Sequence, residues 1–322
     1  MNVIDWLLDS DPAIRWQVMR DLTEEADETV AAERARVATE GWAADLLARQ
    51  GSNGYWGEDD PNPEWVTIRT LLLLRDMGLD PASDQARRAI ALVRDNVVWK
   101  GVLPQDAAWH GKPLFSGEVE PCLNGRVVAI GAYFGQNVQG IVDRLLGEQQ
   151  PDGGWNCEQT NGSTRGSFHT TINVLEGLLE HEHVSGSTPA LAAARARGQA
   201  YLLERRLLRR RSTGEVIDPA WTQFSYPPGY HYDVLRGLDY LRSAGAVPDE
   251  RVAEAIGLVA SKRDADGRWA LENPHRGELD FEMGEGEGQP SRWNTLRAMR
   301  VLRWHSQAQH ASGWGSSSDS VS

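Results

Sequence analysis

Gln149-Gln150-Pro151-Asp152-Gly153-Gly154-Trp155 has the form Q-x3-G-x-W, and it occurs more than once. Gln50-Gly51-Ser52-Asn53-Gly54-Tyr55-Trp56 matches it fully, and Arg263-Asp264-Ala265-Asp266-Gly267-Arg268-Trp269 matches with Arg in place of Gln. Each copy follows an amphipathic helical stretch and precedes a loop and another helix. A repeat of helical hairpins cannot bury its apolar faces alone, so such units stack or close on one another.

A second register lies on the helices after those loops. Six segments read as an aromatic, His or Cys, then any residue, then a small or polar one, then an apolar run. They begin at Trp16, Trp65, Cys122, His169, His231 and Trp293, spaced 47 to 62 residues apart, room for two helices and two loops. The runs they open, such as Leu71–Leu74 and Val127–Tyr133, are apolar enough to be buried. Between them lie amphipathic stretches over roughly 31–50, 84–96, 138–149, 191–206 and 249–262, with Arg and Glu at helical spacing. The reading is an all-α fold, a single α/α toroid of six inner and about six outer helices. Val3–Leu8 is the candidate for the sixth outer helix. Residues 1–310 form the ring, and 311–322 are a Gly/Ser-rich tail expected to be disordered.

Composition narrows the function. The 322 residues carry a net charge of −13, which argues against a nucleic-acid surface. The first residues lack the basic, apolar layout of a signal peptide, and no apolar run is long enough to span a bilayer. Two cysteines make no disulfide framework. A cytoplasmic protein with a small-molecule partner is expected. Thirteen tryptophans exceed ordinary usage and suit junctions or a cavity lining.

The Gln/Gly/Trp segments resemble the QW motif of squalene–hopene cyclases, and the layout is similar to the β-subunit of protein prenyltransferases. The resemblance implies that Gln50, Trp56, Gln149, Trp155 and Trp269 tie outer helices to neighbouring loops, the amide bonding donors at a helix N-terminus. It also implies a small, largely apolar, isoprenoid-like substrate in the ring. The protonating Asp-x-Asp-Asp motif of those cyclases is absent; Glu58-Asp59-Asp60 and Asp264-Ala265-Asp266 lie in loops instead. The 322 residues suit a single ring rather than the two toroids of those cyclases.

The inner helices run the same way, so their N-termini meet at one mouth, with the positive ends of their dipoles. His169, His231 and Asp233 there form a candidate acid/base group, although Asp233 equally suits a helix cap. Cys122, Cys157 and His169 form a candidate Cys2His zinc site, of the kind lanthipeptide cyclases carry on the same ring. Trp16, Trp65, Thr67, Asn124, Arg126, Thr171, Arg236 and Trp293 are the candidate substrate-binding residues. Arg126, Arg165, Arg236 and Arg292 are placed to hold a diphosphate or carboxylate. Four functions stay open: a terpene-cyclase or prenyltransferase-like enzyme, a zinc enzyme activating water or a thiol, a carbohydrate-acting α/α barrel, and a non-catalytic binding protein.

Overall fold

The computed structural model describes residues 1–100, 108–275, 281 and 283–311. Six helices form its inner layer: α2 (Pro12–Asp21), α5 (Pro63–Met77), α7 (Pro121–Tyr133), α9 (Phe168–Ser185), α11 (Val234–Ser243) and α13 (Arg292–Ala311). Three of them open on a proline, whose missing N–H costs nothing in a first turn. The outer layer is α1 (Val3–Leu8), α3 (Asp27–Arg36), α4 (Gly41–Ala48), α6 (Asp84–Asn96), α8 (Gln139–Gly147), α10 (Pro189–Leu203) and α12 (Ala253–Ser261). Among the described residues, strand structure is a two-residue antiparallel pair, Trp269–Ala270 with Pro290–Ser291. The predicted all-α toroid is what the chain forms.

The ring closes through specific bonds. Trp16 Nε1 of α2 donates to Met77 O at the end of α5 (2.8 Å). Across the seam between the chain's two ends, Arg300 of α13 donates to Gln17 Oε1 of α2 (2.9 Å). Helix α1 takes the sixth outer position, its Trp6 ring lying under Arg268 and Arg292. Helices α7 and α9 approach most tightly at glycine: a Cβ on Gly125 would stand 2.6 Å from Asn173 O. One predicted outer helix, 31–50, is two. Gly41 breaks it at φ +66°, and Asp11 accepts the Trp42 N–H to start α4 afresh (2.8 Å).

The three Gln/Gly/Trp segments form one device built three times. Trp56, Trp155 and Trp269 each donate Nε1 to the carbonyl ten residues back, on Leu46, Leu145 and Val259, at 2.7 Å. Their backbone N–H groups donate to Thr67, Thr171 and Thr295 Oγ1 at 3.0–3.1 Å. The glycines sit at φ +85°, +89° and +82°, a region open to them without strain. Gln50 and Gln149 donate Nε2 to Ala89 O (3.0 Å) and Ala194 O (2.8 Å) on the next outer helix. This corrects the expectation that the amide serves helix N-termini. An NH2 group is a donor, and the partners within reach are carbonyls along α6 and α10.

Candidate functional site

A cavity of about 500 Å3 occupies the ring's centre. Its walls are not the apolar, tryptophan-rich surface the sequence suggested: among the described residues, Trp16 and Trp293 are the tryptophans that line it. Nine arginines do, against four carboxylates, Asp76, Glu176, Glu180 and Asp239. Arg20, Arg236, Arg242, Arg297 and Arg300 come from α2, α11 and α13; Arg69, Arg75 and Arg126 come from α5 and α7, and Arg34 reaches in from α3. The aliphatic lining, Leu72, Leu73, Ala129 and Leu179, comes from α5, α7 and α9. The cavity is therefore amphipathic, with an aliphatic strip facing a cationic wall.

Helical spacing produces this wall. Arg20 and Arg297 stand four residues after Trp16 and Trp293, one turn deeper on the same face, and Arg69 and Arg126 hold the same spacing after Trp65 and Cys122. Arg236 donates to both oxygens of Glu176 (2.8 and 2.6 Å) and to Asn173 Oδ1 (3.0 Å). Arg297 donates to Ser225 O (3.1 Å) and lies 3.5 Å from Asp239. Arg34 donates to Gly78 O (2.9 Å) and Tyr133 Oη (3.1 Å). Arg300 is paired with Asp21, and complete burial pushes its pKa down to about 10. Burial alone would raise Glu176 and Asp239. The surrounding guanidinium groups, Arg236 for the first and Arg242 for the second, hold both below the ordinary carboxylate range.

Donors are left over at this wall. Trp293 Nε1, Tyr226 Oη and Arg300 Nε are buried and have no hydrogen-bond partner among the described residues. Tyr226 stacks on Trp293, with centroids 4.3 Å apart and planes at 12°. Buried donors without acceptors cost free energy that an acceptor-rich ligand returns. The cavity residues at the N-terminal level, Arg126, Asn173, Arg236 and Trp293, are buried, whereas Arg20, His183 and Ser243 at the other end are exposed. The site thus opens at the C-terminal ends of the inner helices, opposite to the mouth expected from the dipoles. Side-chain charge, not the helix ends, makes it cationic.

Several sequence-stated sites move as a result. Of the eight substrate-binding candidates, Trp16, Arg126, Arg236 and Trp293 line the cavity. Trp65 does not; it is 40% exposed. Thr67 and Thr171 are consumed by the Trp junctions, and Asn124 is a buried clasp that bonds Glu118 N (2.8 Å) and O (2.9 Å). Neither Arg165, which is exposed, nor Arg292, which lies on Trp6, reaches the cavity. Asp233 is a cap: its carboxylate accepts from Arg236 N (2.8 Å) and from Ser225 Oγ (2.9 Å). With both oxygens engaged and only 2% exposure, it has no route to a substrate.

His169 and His231 sit together above the cavity, their rings 5.8 Å apart, with His231 stacked on His275 at 3.8 Å. Burial, aided by His231 and Arg236, pushes the His169 pKa down to about 4. Its Nδ1 accepts the Tyr232 N–H (2.8 Å), a bond only the unprotonated nitrogen makes. Cys122 and Cys157 do meet, with sulfurs 2.8 Å apart. The third donor beside them is Glu120, not His169, whose ring is turned to Tyr232 and Trp221.

Fold and cavity together define an all-α toroid with a cationic, amphipathic centre. No family model and no curated protein matches the chain. Solved structures similar to it are of the type II terpene cyclase MstE from Scytonema. The apo enzyme is 17% identical with a TM-score of 0.43, over 94% of this chain and 88% of that one. A variant in complex with its product, merosterolic acid A, is 16% identical with a TM-score of 0.44, over 95% and 98%. None of the described helices is long and apolar enough to cross a membrane.

Proposed function

We propose that the ring binds an amphiphilic organic anion in its central cavity, an isoprenoid diphosphate being the class that fits best. One observation carries this: nine arginines, three residues with unpartnered buried donors and an aliphatic strip line one cavity. An apolar hydrocarbon would leave the excess of nine arginines over four carboxylates unneutralised and Trp293 Nε1, Tyr226 Oη and Arg300 Nε without acceptors. A diphosphate accepts from arginine forks in pairs, while its chain lies against Leu72, Leu73 and Leu179. At about 500 Å3 the cavity is within the usual range for small-molecule sites.

The chemistry such a wall supplies is stabilisation of negative charge on a departing phosphate. Cyclisation begun by protonation is a poorer match, because Glu176 and Asp239 are held ionised by their arginines. The test is calorimetric titration with farnesyl diphosphate, farnesol and inorganic diphosphate. Farnesyl diphosphate is expected to bind tightest, to lose affinity as salt rises, and to be weakened about tenfold or more by Arg297→Met. Equal binding of farnesol, or no binding of either diphosphate, contradicts the reading.

A further inference from the structure

One cluster away from the cavity lining has the chemistry of a ligand set. Glu120, Cys122 and Cys157 bring a carboxylate oxygen and two sulfurs within 4.8 Å of one another. Glu120 occupies the cap position of α7, and Cys122 follows one residue into the helix behind Pro121. Cys157 arrives from a different segment. The Trp155 junction delivers it: Ser167 N donates to Trp155 O (2.7 Å), pinching the loop so that the short helical turn Cys157–Asn161 folds back over α7.

We propose that these three residues bind one thiophilic divalent cation, Zn2+ by their chemistry, with solvent in the fourth position. Two thiolates and a carboxylate suit zinc, whereas Mg2+ and Ca2+ take oxygen shells. Zn–S bonds of ~2.3 Å at a tetrahedral angle set sulfurs about 3.8 Å apart. The pair stands at 2.8 Å, so binding spreads it by about 1 Å, within reach of small side-chain rotations. Thr170 Oγ1, 3.4 Å from Cys157 Sγ, is placed to steady a coordinated thiolate from behind. Cys122 is buried while Glu120 and Cys157 are half-buried, which leaves one side of the site open to solvent. The site is independent of the cavity reading, since none of the three residues lines the cavity.

Coordination displaces the two thiol protons to solvent and involves no change of oxidation state. The experiment uses the full chain, purified reduced and without a metal-affinity step. Elemental analysis is expected to find zinc stoichiometric with protein. After chelation, added Co2+ should restore a thiolate-to-metal charge-transfer absorption with release of protons. Cys122→Ser and Cys157→Ser should each abolish that absorption; Glu120→Gln should weaken Co2+ binding while keeping it, and His169→Ala should leave it intact. Helical circular dichroism of the chelated wild type separates lost metal from lost fold. A folded, reduced wild type that takes up Co2+ without thiolate absorption overturns the proposal. So does a Cys122–Cys157 disulfide in the protein as isolated, or loss of the metal on His169→Ala.

Discussion

Trp155 and Trp293 are both fully packed, both near the start of an inner helix, and unlike in what their indoles do. Trp155 donates to Leu145 O and its backbone to Thr171, as Trp56 and Trp269 do in their own hairpins. Trp293 stacks on Tyr226 with its N–H unused among the described residues. The outer junctions of the ring satisfy every such group, three times in the same way. The cavity leaves donors open and gathers like charge, an arrangement that weakens a fold unless something binds there. Wall and centre are built from the same residue types under opposite rules.

Breaking a junction should have the largest effect. Trp155→Ala removes a side chain with 0% exposure and should cost about 3–5 kcal/mol, seen as a lower denaturant midpoint. A loss below about 1 kcal/mol would mean the junction does not hold the hairpin.

The layer between wall and cavity should show as a pH effect. His169 has a folded pKa of about 4, below the ordinary value of 6.5. The unfolded chain therefore binds more protons between those values, and stability falls as pH drops from about 6.5 to 4. Allowing for partial exposure, the loss is on the order of 2 kcal/mol. His169→Gln should flatten that slope in denaturation measured at pH 7, 5.5 and 4, and an unchanged slope would place the titration elsewhere.

The smallest stability change belongs to the cavity. Trp293→Phe keeps an aromatic on Tyr226 and deletes the unused donor, so stability should stay within about 1 kcal/mol of wild type. Affinity for an isoprenoid diphosphate should nonetheless fall several-fold in calorimetry. A large loss of stability with unchanged affinity would make Trp293 a wall residue like Trp155.

The ring was legible because its signals are local. Gly54, Gly153 and Gly267 mark turns, Pro12, Pro63 and Pro121 mark helix starts, and helical periodicity does the rest. The expectation of an apolar centre failed for a physical reason. Arginine on a helix ordinarily reads as a solvent-facing residue, and Arg20, Arg69 and Arg297 were not among the candidate site residues. For Arg20 and Arg297, the position four residues after Trp16 and Trp293 was the available clue, since an anchor facing inward takes its i+4 neighbour with it. His169 was assigned to the cysteines because it occupies an equivalent helix position. The Tyr232 N–H that turns its ring away comes from 63 residues later and has no local signature. Glu120, two residues before Cys122, was the nearer donor. In the acidic stretch 271–290, Glu278, Asp280 and Glu282 lie outside the described residues, as do residues 312–322 of the tail.

An anion held by the arginine wall would be visible directly. The most direct measurement is a crystal structure of the protein soaked with farnesyl diphosphate. Diphosphate density is expected among Arg236, Arg297 and Arg300, with the chain running toward Leu72 and Leu179. Density for the ligand only on the outer surface, or a hydrocarbon chain lying against those arginines with the diphosphate in solvent, would contradict it.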